Sequence, residues 1–317
     1  MTDDRNVFGR TAFGRRNLLL GALGLAASAC ADTDARTSAP READPVLSTR
    51  VDPAAAEEHF AALERKYDAR LGVYAISTGT AVSLAYRADD RFAFCSTFKT
   101  LAAAAVLQRH PMSYLDTVVR YTREDVNSIS PVAQDHIETG LTIRELCDAA
   151  IRFSDGTAGN LLMRDIGGPE QLTAYLRSLG DTVGRMDQYE PELNSDPPGD
   201  PRDTITPRAL AADYQQVVLR GALPPEKQAL LKDWLQRSAT GAQTIRAGVP
   251  AGWTVANKTG HGDFGRANDV AVVWPPDGAP LILAIMTDRT GFDAAPPYPM
   301  IADAAAYLSK AFHPPAR

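Results

Sequence analysis

The sequence predicts a discontinuous α/β domain, an antiparallel sheet flanked by helices, with an all-α domain inserted into it. Three observations predict this. Strand-like segments lie near both ends of the 317-residue chain, at residues 71–77 and 81–87 and again after 253. Between about residues 97 and 235 the apolar residues recur at helical spacing instead. Helical patterns also bracket the whole, one opening at Asp52-Pro53 and one over 298–312. The α/β domain is therefore expected at 51–90 and 236–317, and the helical domain at 91–235. A chain of this length with 44% hydrophobic residues is long enough to bury a substantial core.

The first thirty residues read as a targeting segment. Arg5, Arg10, Arg15 and Arg16 precede an apolar run over 18–29. That run is far short of the roughly 20 residues a helix needs to span a bilayer. A basic region, a short apolar region and small residues before a cleavage point make a signal peptide. The pair Arg15-Arg16 resembles a twin-arginine export signal. The stretch Leu-Ala-Ala-Ser-Ala-Cys ends in Cys30 and resembles a bacterial lipobox, with Ala27 where Leu is usual. Two products stay open: a cell-envelope lipoprotein tethered through Cys30, or a protein cleaved nearby and secreted. Residues 31–50 are polar and Pro-containing, without apolar period, and read as a flexible linker.

The remaining elements follow in order. Asp52 is a helix N-cap with Pro53 behind it, and Phe60, Leu63 and Tyr67 recur at helical spacing. A Thr-Gly-Thr turn joins the first two strands. Thr142 with Glu145 forms a capping box, Gly167-Gly168-Pro169 punctuates two helices, and Thr206-Pro207 opens another. Late strands are expected at 253–258, 269–274 and 281–287. Cys95 and Cys147 sit in apolar, helical surroundings that suit small buried thiols, so no disulfide is expected.

The formal charge of −6 is spread in both signs along the chain, without the clustered basic face of a nucleic-acid binder. His59, His110, His136, His261 and His313 show no metal-ligand spacing, which argues against a zinc site.

Four short motifs carry the chemistry: Ser96-Thr97-Phe98-Lys99, Ser154-Asp155-Gly156, Glu190-Pro191-Glu192-Leu193-Asn194 and Lys258-Thr259-Gly260. Each alone is weak; a Ser-x-x-Lys match arises about once by chance in a chain this size. Their occurrence together and in order is the signal. Ser96 precedes the run Leu101 to Leu107, apolar nearly all round, which marks a buried helix. At that helix start the positive dipole end favours developing negative charge. Lys99 lies three residues on, a neighbour on the same face, where a desolvated amine activates a hydroxyl.

These motifs, with Thr-Ile-Arg-Glu-Leu-Cys before Ser154, Asn160 after it and Gly-Asp-Pro-Arg-Asp-Thr after the Glu190 segment, resemble the class A serine β-lactamase family over roughly residues 50–315. The resemblance implies a β-lactamase/transpeptidase-like fold. It also implies hydrolysis of penicillins and cephalosporins through a serine acyl-enzyme, in a monomer without cofactor. It makes Ser96 the nucleophile, with its own N–H and that of His261 as the oxyanion hole. Lys99 helps move the Ser96 proton, Ser154 relays a proton to the leaving nitrogen, Lys258 and Thr259 hold the substrate carboxylate, and Gly156 and Gly260 are further substrate-binding positions. Glu190 and Asn194 hold the hydrolytic water on an Ω-shaped loop over 185–203, with Glu190-Pro191 cis; whether Lys99 or Glu190 is the acylation base stays open. A DD-peptidase shares the serine, lysine and Lys-Thr-Gly but lacks the Glu190 segment.

Several positions depart from the family pattern. Gly156 stands for a substrate-contacting Asn and is expected to open space. Ile129 stands for an aromatic gatekeeper. Thr244, Ala267 and the Pro296-Pro297 region do not supply the usual carboxylate-binding Arg. Arg266 is the nearest guanidinium and reads as a surface strand residue. Gln188 replaces an Arg that ties the loop to Asp203, leaving Arg185 with Asp187 or Asp203 to compensate.

Overall fold

The computed structural model describes residues 51–313. The expected signal peptide with Cys30, and the expected linker, lie outside the described residues. The first helix, α1 (Pro53–Tyr67), starts where Asp52 accepts hydrogen bonds from the N–H of Ala54 (3.0 Å) and Ala55 (3.3 Å), two donors the helix itself cannot satisfy. Strands β1 (Arg70–Ser77) and β2 (Ser83–Tyr86) follow. β2 is shorter than the expected 81–87 because Ala81 (φ 58°) and Arg87 (φ 44°) occupy the left-handed region, where a pleat cannot continue.

A short β3 (Phe92–Ala93) leads to α2 (Phe98–Arg109), then β4 (Val118–Val119) and β5 (Leu141–Thr142). Helices α3 (Ile143–Arg152), α4 (Gly156–Asp165) and α5 (Pro169–Leu179) come next. β6 (Thr204–Ile205) precedes α6 (Pro207–Val218), α7 (Pro225–Gln236) and α8 (Ile245–Gly248). The chain closes with β7 (Thr254–Gly262), β8 (Arg266–Trp274), β9 (Leu281–Asp288) and α9 (Tyr298–Phe312). The predicted capping box forms: Thr142 Oγ1 accepts from Glu145 N at 3.2 Å and Thr142 N donates to Glu145 Oε2 at 2.8 Å. The region expected to be helical throughout also carries two small antiparallel ladders, β3 with β6 and β4 with β5.

The five-stranded sheet runs β2-β1-β9-β8-β7, antiparallel throughout. β1 pairs with β9 from Arg70↔Asp288 to Ser77↔Leu281, which joins the two ends of the described chain. One face packs Leu71, Val73, Leu283 and Ile285 on Phe60, Leu63, Ile301 and Leu308 of the terminal helices. The other packs Val270, Val272, Ile282 and Ala284 on residues of α2, α3, α4 and α6. Both faces are covered, so β8 from Val270 to Trp274 and β9 from Leu281 to Met286 read as continuous apolar runs rather than alternating ones.

β7 and β8 each extend further than expected. Their ladder continues from Lys258↔Val270 through Gly260↔Asn268 to Gly262↔Arg266, closed by a turn with Phe264 and Gly265 at positive φ. Lys258-Thr259-Gly260 is thus strand interior. Polar residues such as Arg266 and Asn268 conceal this in the sequence.

One buried group makes stability pH-dependent. Asp213 on α6 is 1% exposed, and its Oδ2 has no hydrogen-bond partner among the described residues. Burial first, then the nearby Asp181 charge, push its carboxyl up to about 9, so at neutral pH it is a neutral acid. An unfolded Asp ionises near ~3.9, so folding takes up a proton between roughly pH 4 and 9, and this group's contribution to stability falls as pH rises through that window. Asp213→Asn, which mimics the neutral acid, should stabilise the protein by on the order of 2–4 kcal/mol at pH 7 and converge on the parent below about pH 4. Calorimetric melting across that range checks this; equal Tm at pH 8 contradicts it.

Candidate active site

Ser96 lies in a single 3-10 turn, Cys95–Thr97, immediately ahead of α2. Lys99 sits in the first turn of that helix with no exposed side-chain surface. Its Nζ donates to Ser96 Oγ at 2.8 Å and to Ser154 O at 2.8 Å, and lies 2.7 Å from Glu190 Oε2. The first two are hydrogen bonds and the third is an ion-pair contact. Ser96 Oγ donates in turn to Glu190 Oε1 at 2.8 Å.

Ser154 joins α3 to α4 at φ 59°, a conformation a non-glycine residue holds at a cost of about 1–3 kcal/mol. Its neighbour Asp155 fixes it there. One Asp155 oxygen caps α4 at Ala158 N (2.8 Å), and the other accepts from Val132 N (2.9 Å) and Ala133 N (2.8 Å). Ser154 Oγ accepts a hydrogen bond from Lys258 Nζ at 2.9 Å. Lys258 also donates to Thr259 O at 2.7 Å, and Thr259 Oγ1 is 2.7 Å from Thr240 Oγ1. Gly260 has a steric reason: a Cβ there would lie 3.0 Å from Cys95 Cβ and Phe94 O and 3.2 Å from Ser96 N. Only glycine lets β7 press this closely on the Ser96 turn.

The loop brings Glu190 in from the other side. Asn160 on α4 brackets its backbone, Nδ2 donating to Glu190 O at 2.7 Å and Oδ1 accepting from Glu190 N at 3.0 Å. The Glu190-Pro191 bond is cis. Asn194 is buried beside it, and its Oδ1 has no hydrogen-bond partner among the described residues.

This serine, lysine and glutamate geometry can be set beside known proteins. A sequence profile described as the beta-lactamase enzyme family matches residues 55–312. A curated beta-lactamase of Mycobacterium tuberculosis is 56% identical over 300 residues, covering 92% of this chain and 96% of its own. The chain belongs to the class A serine β-lactamase family. Among solved structures, a class A beta-lactamase from Clostridium kluyveri superposes with TM-score 0.80 at 46% identity, covering 82% of this chain and 99% of its own. A beta-lactamase from Desulfarculus baarsii gives TM-score 0.81 at 48% identity, covering 83% and 99%.

Within this β-lactamase the departures resolve as follows. Gln188 makes the loop tie itself: Nε2 donates to Asp203 Oδ2 at 3.0 Å and also to Asp196. Arg185 forks onto Asp187, whose Oδ2 accepts from Asp203 N at 3.1 Å. Arg266 is not a surface residue. It is 3% exposed, and its guanidinium donates to Asn194 O (2.8 Å) and Asp196 O, holding the loop against β8. Thr244 is buried, donating to Asp269 Oδ2, and Ala267 is buried in β8. The space beside Gly156 is not open either. A Cβ there would meet the Asn127 amide at 2.5 Å and Glu190 Oε2 at 2.6 Å. Ile129 projects outward, 46% exposed. Cys95 and Cys147 are free buried thiols.

Sequence reasoning missed Thr240, Asn127 and the loop-holding role of Arg266. Their partners are 19, 29 and more than 70 residues away, so no local pattern marks them. Asn160 was visible only through the family resemblance.

Electrostatics divide the two cations of the site. Burial first, and then the Lys99 charge, bring the Lys258 ammonium down to about 7. Burial, followed by the Lys258 and Lys99 charges, lowers the His261 imidazole to about 4, so it is neutral at physiological pH. Lys258 should therefore titrate near neutrality in NMR spectra of lysine-labelled protein, and Lys99→Ala should move that titration upward. A Lys258 signal that titrates near the ordinary ~10.4 is the contrary result.

Proposed function

We propose that this β-lactamase opens the lactam amide of penicillins and cephalosporins through an ester on Ser96 and releases the product with water activated by Glu190. The observation that carries this reading is the buried relay in which Lys99 Nζ contacts Ser96 Oγ and Ser96 Oγ donates to Glu190. As Ser96 Oγ bonds to the lactam carbonyl carbon, its proton passes to Glu190 Oε1. Ser96 Oγ accepts from Lys99 Nζ and donates to Glu190 Oε1, which makes Glu190 the base for acylation and Lys99 the group that steadies the developing alkoxide. The oxyanion faces the N–H groups of Ser96 and His261. As the C–N bond breaks, Ser154 Oγ, already accepting from Lys258, gives its proton to the ring nitrogen.

The proton on Glu190 returns by way of Lys99 to Ser154 Oγ, which restores both groups. Glu190, again a carboxylate, then takes a proton from water that Asn194 Oδ1 helps to hold; that water bonds to the ester carbonyl carbon, and as the C–O bond to Ser96 breaks, Ser96 Oγ takes the proton back from Glu190. Lys258 and Thr259, with Thr240 beside them, receive the substrate carboxylate, and Gly156, Gly260 and His261 line the site. A charge-assisted contact of this kind contributes roughly 1.5–3 kcal/mol. A DD-peptidase reading is disfavoured, because it gives no role to a buried carboxylate hydrogen-bonded to the nucleophile. Turnover of this kind confers β-lactam resistance on the cell.

Ser96→Ala should lose covalent labelling by a penicillin and nearly all hydrolysis. Glu190→Ala should acylate slowly, through Lys99 freed from its ion pair, and then accumulate acyl-enzyme. Mass spectrometry of both variants is the check; label on another residue, or steady turnover by Glu190→Ala, overturns the assignment.

We also propose a monomeric enzyme built from lobes at 51–90 with 236–317 and at 91–235; the N-terminal signals support its export, directed by Arg15-Arg16, and a tether through lipid on Cys30. Among the described residues no helix is long and apolar enough to cross a membrane. Cys30→Ala should then move the protein from the membrane to the soluble fraction. Equal membrane recovery of both forms leaves ordinary signal cleavage as the account.

A further inference from the structure

We infer that Asp269 is a positioning residue for the substrate-carboxylate site, fixing the 240–245 segment against β7 so that the Thr240 hydroxyl meets that of Thr259. The inference rests on the reading above in which Lys258 and Thr259 receive the carboxylate. Asp269 lies on β8 as the direct partner of Thr259 in the ladder, and it is fully buried. Its carboxylate has four hydrogen-bond contacts, all from donors. Oδ2 accepts from Thr244 Oγ1 and from Ile245 N at 3.0 Å, and Asn257 Nδ2 donates to Oδ1 at 2.9 Å and to Oδ2 at 3.1 Å. The Asn257 amide is oriented independently, because its Oδ1 accepts from Arg246 Nε at 2.8 Å. One side chain of β8 thus ties the residue before Lys258 to the segment that follows α7.

That segment leads into the site. Thr244 N donates to Gly241 O at 3.4 Å, closing a turn. A Cβ on Gly241 would lie 2.1 Å from Asn257 Nδ2, so glycine lets the turn rest directly on the amide that Asp269 holds. Thr240 comes immediately before the turn, and its Oγ1 is 2.7 Å from Thr259 Oγ1. β7 is the outermost strand of the sheet, so sheet pairing does not place this segment along its far side. Asp269 does. A carboxylate is an acceptor only and has lone-pair sites for all its donors, whereas an amide would set its own N–H groups against them. A buried carboxylate is weak evidence of stability in itself, since an apolar replacement is often as stable, so the fold alone does not account for it. Thr244, one of the positions that does not supply the usual carboxylate-binding Arg, is turned to Asp269 instead.

A penicillin and its methyl ester differ only in the charged group that Lys258 and Thr259 receive, and the measurement is kcat and KM for both, with Tm in parallel. Asp269→Asn should raise KM for the free acid about three- to tenfold with kcat within about twofold, and should change KM for the ester by less than about twofold. A merely structural role weakens both substrates alike. Thr244→Val removes one donor and keeps the carboxylate; it should shift the acid in the same direction by a smaller factor, and it decides the matter where Asp269→Asn does not fold. Thr240→Val should also weaken the acid selectively, and adding Asp269→Asn to it should raise KM by less than about a further twofold, because both act through one hydroxyl. An unchanged acid–ester difference in Asp269→Asn and Thr244→Val, equal losses for acid and ester, or losses that multiply in the double variant overturn the inference. If those results come while Thr259→Val abolishes the preference for the acid, the carboxylate site stands and only the role of Asp269 falls. If Thr259→Val and Lys258→Ala both keep that preference, the broader reading fails first.

Discussion

The Lys99–Glu190 ion pair governs the rest of the structure. Both side chains are wholly removed from solvent, and their charged atoms are 2.7 Å apart. Removing two charges from water costs several kcal/mol per ion, and their mutual attraction offsets this only when the remaining donors and acceptors are also satisfied. Much of the architecture near Ser96 can be understood as that satisfaction. α2 provides one ion from its first turn, the Ser154 carbonyl takes another Lys99 N–H, and the Ser96 hydroxyl bridges the pair. A site assembled this way is stabilised poorly by its own charges and depends on the surrounding packing to hold it.

The packing does so with rigid parts. The loop that carries Glu190 is tied at three places: to α4 through Asn160, to its own base through Gln188 and Asp203, and to β8 through Arg266. β7 closes the opposite side at glycine contact distance from the Ser96 turn. Backbone strain at Cys95 (φ 44°) and Ser154 (φ 59°) is confined to the residues next to or within the reacting set, where the neighbouring elements over-determine it.

The sequence carried a good part of this. The helix starts at Asp52-Pro53 and Thr142, the apolar α2 and the order of the four motifs all rest on local rules of capping, periodicity and composition, and these survive folding. The lengths of β7 and β8 did not, because their outer residues are polar in sequence and become strand only through pairing with each other. The environments of Gly156 and Arg266 were misjudged for a related reason. One looked like open space and the other like a surface cation, but what fills or buries them comes from segments far off in the chain. Substitution patterns relative to a family show which group is missing; they do not show what has moved into its place.

The pairing of β1 with β9 has a consequence for assembly. β9 lies in the middle of the sheet, between β1 and β8, yet it spans Leu281–Asp288, close to the end of the described chain. Every residue of the Ser96 relay, and Lys258 as well, precedes it. A nascent chain can therefore hold all of its reactive groups and still lack the strand that joins the N-terminal hairpin to the β7–β8 hairpin. Contacts such as Arg70↔Asp288 bridge most of the chain's length, and closing so long a loop is entropically costly and slow. The sheet that backs the site thus depends on a strand that the chain supplies after every one of its reactive groups.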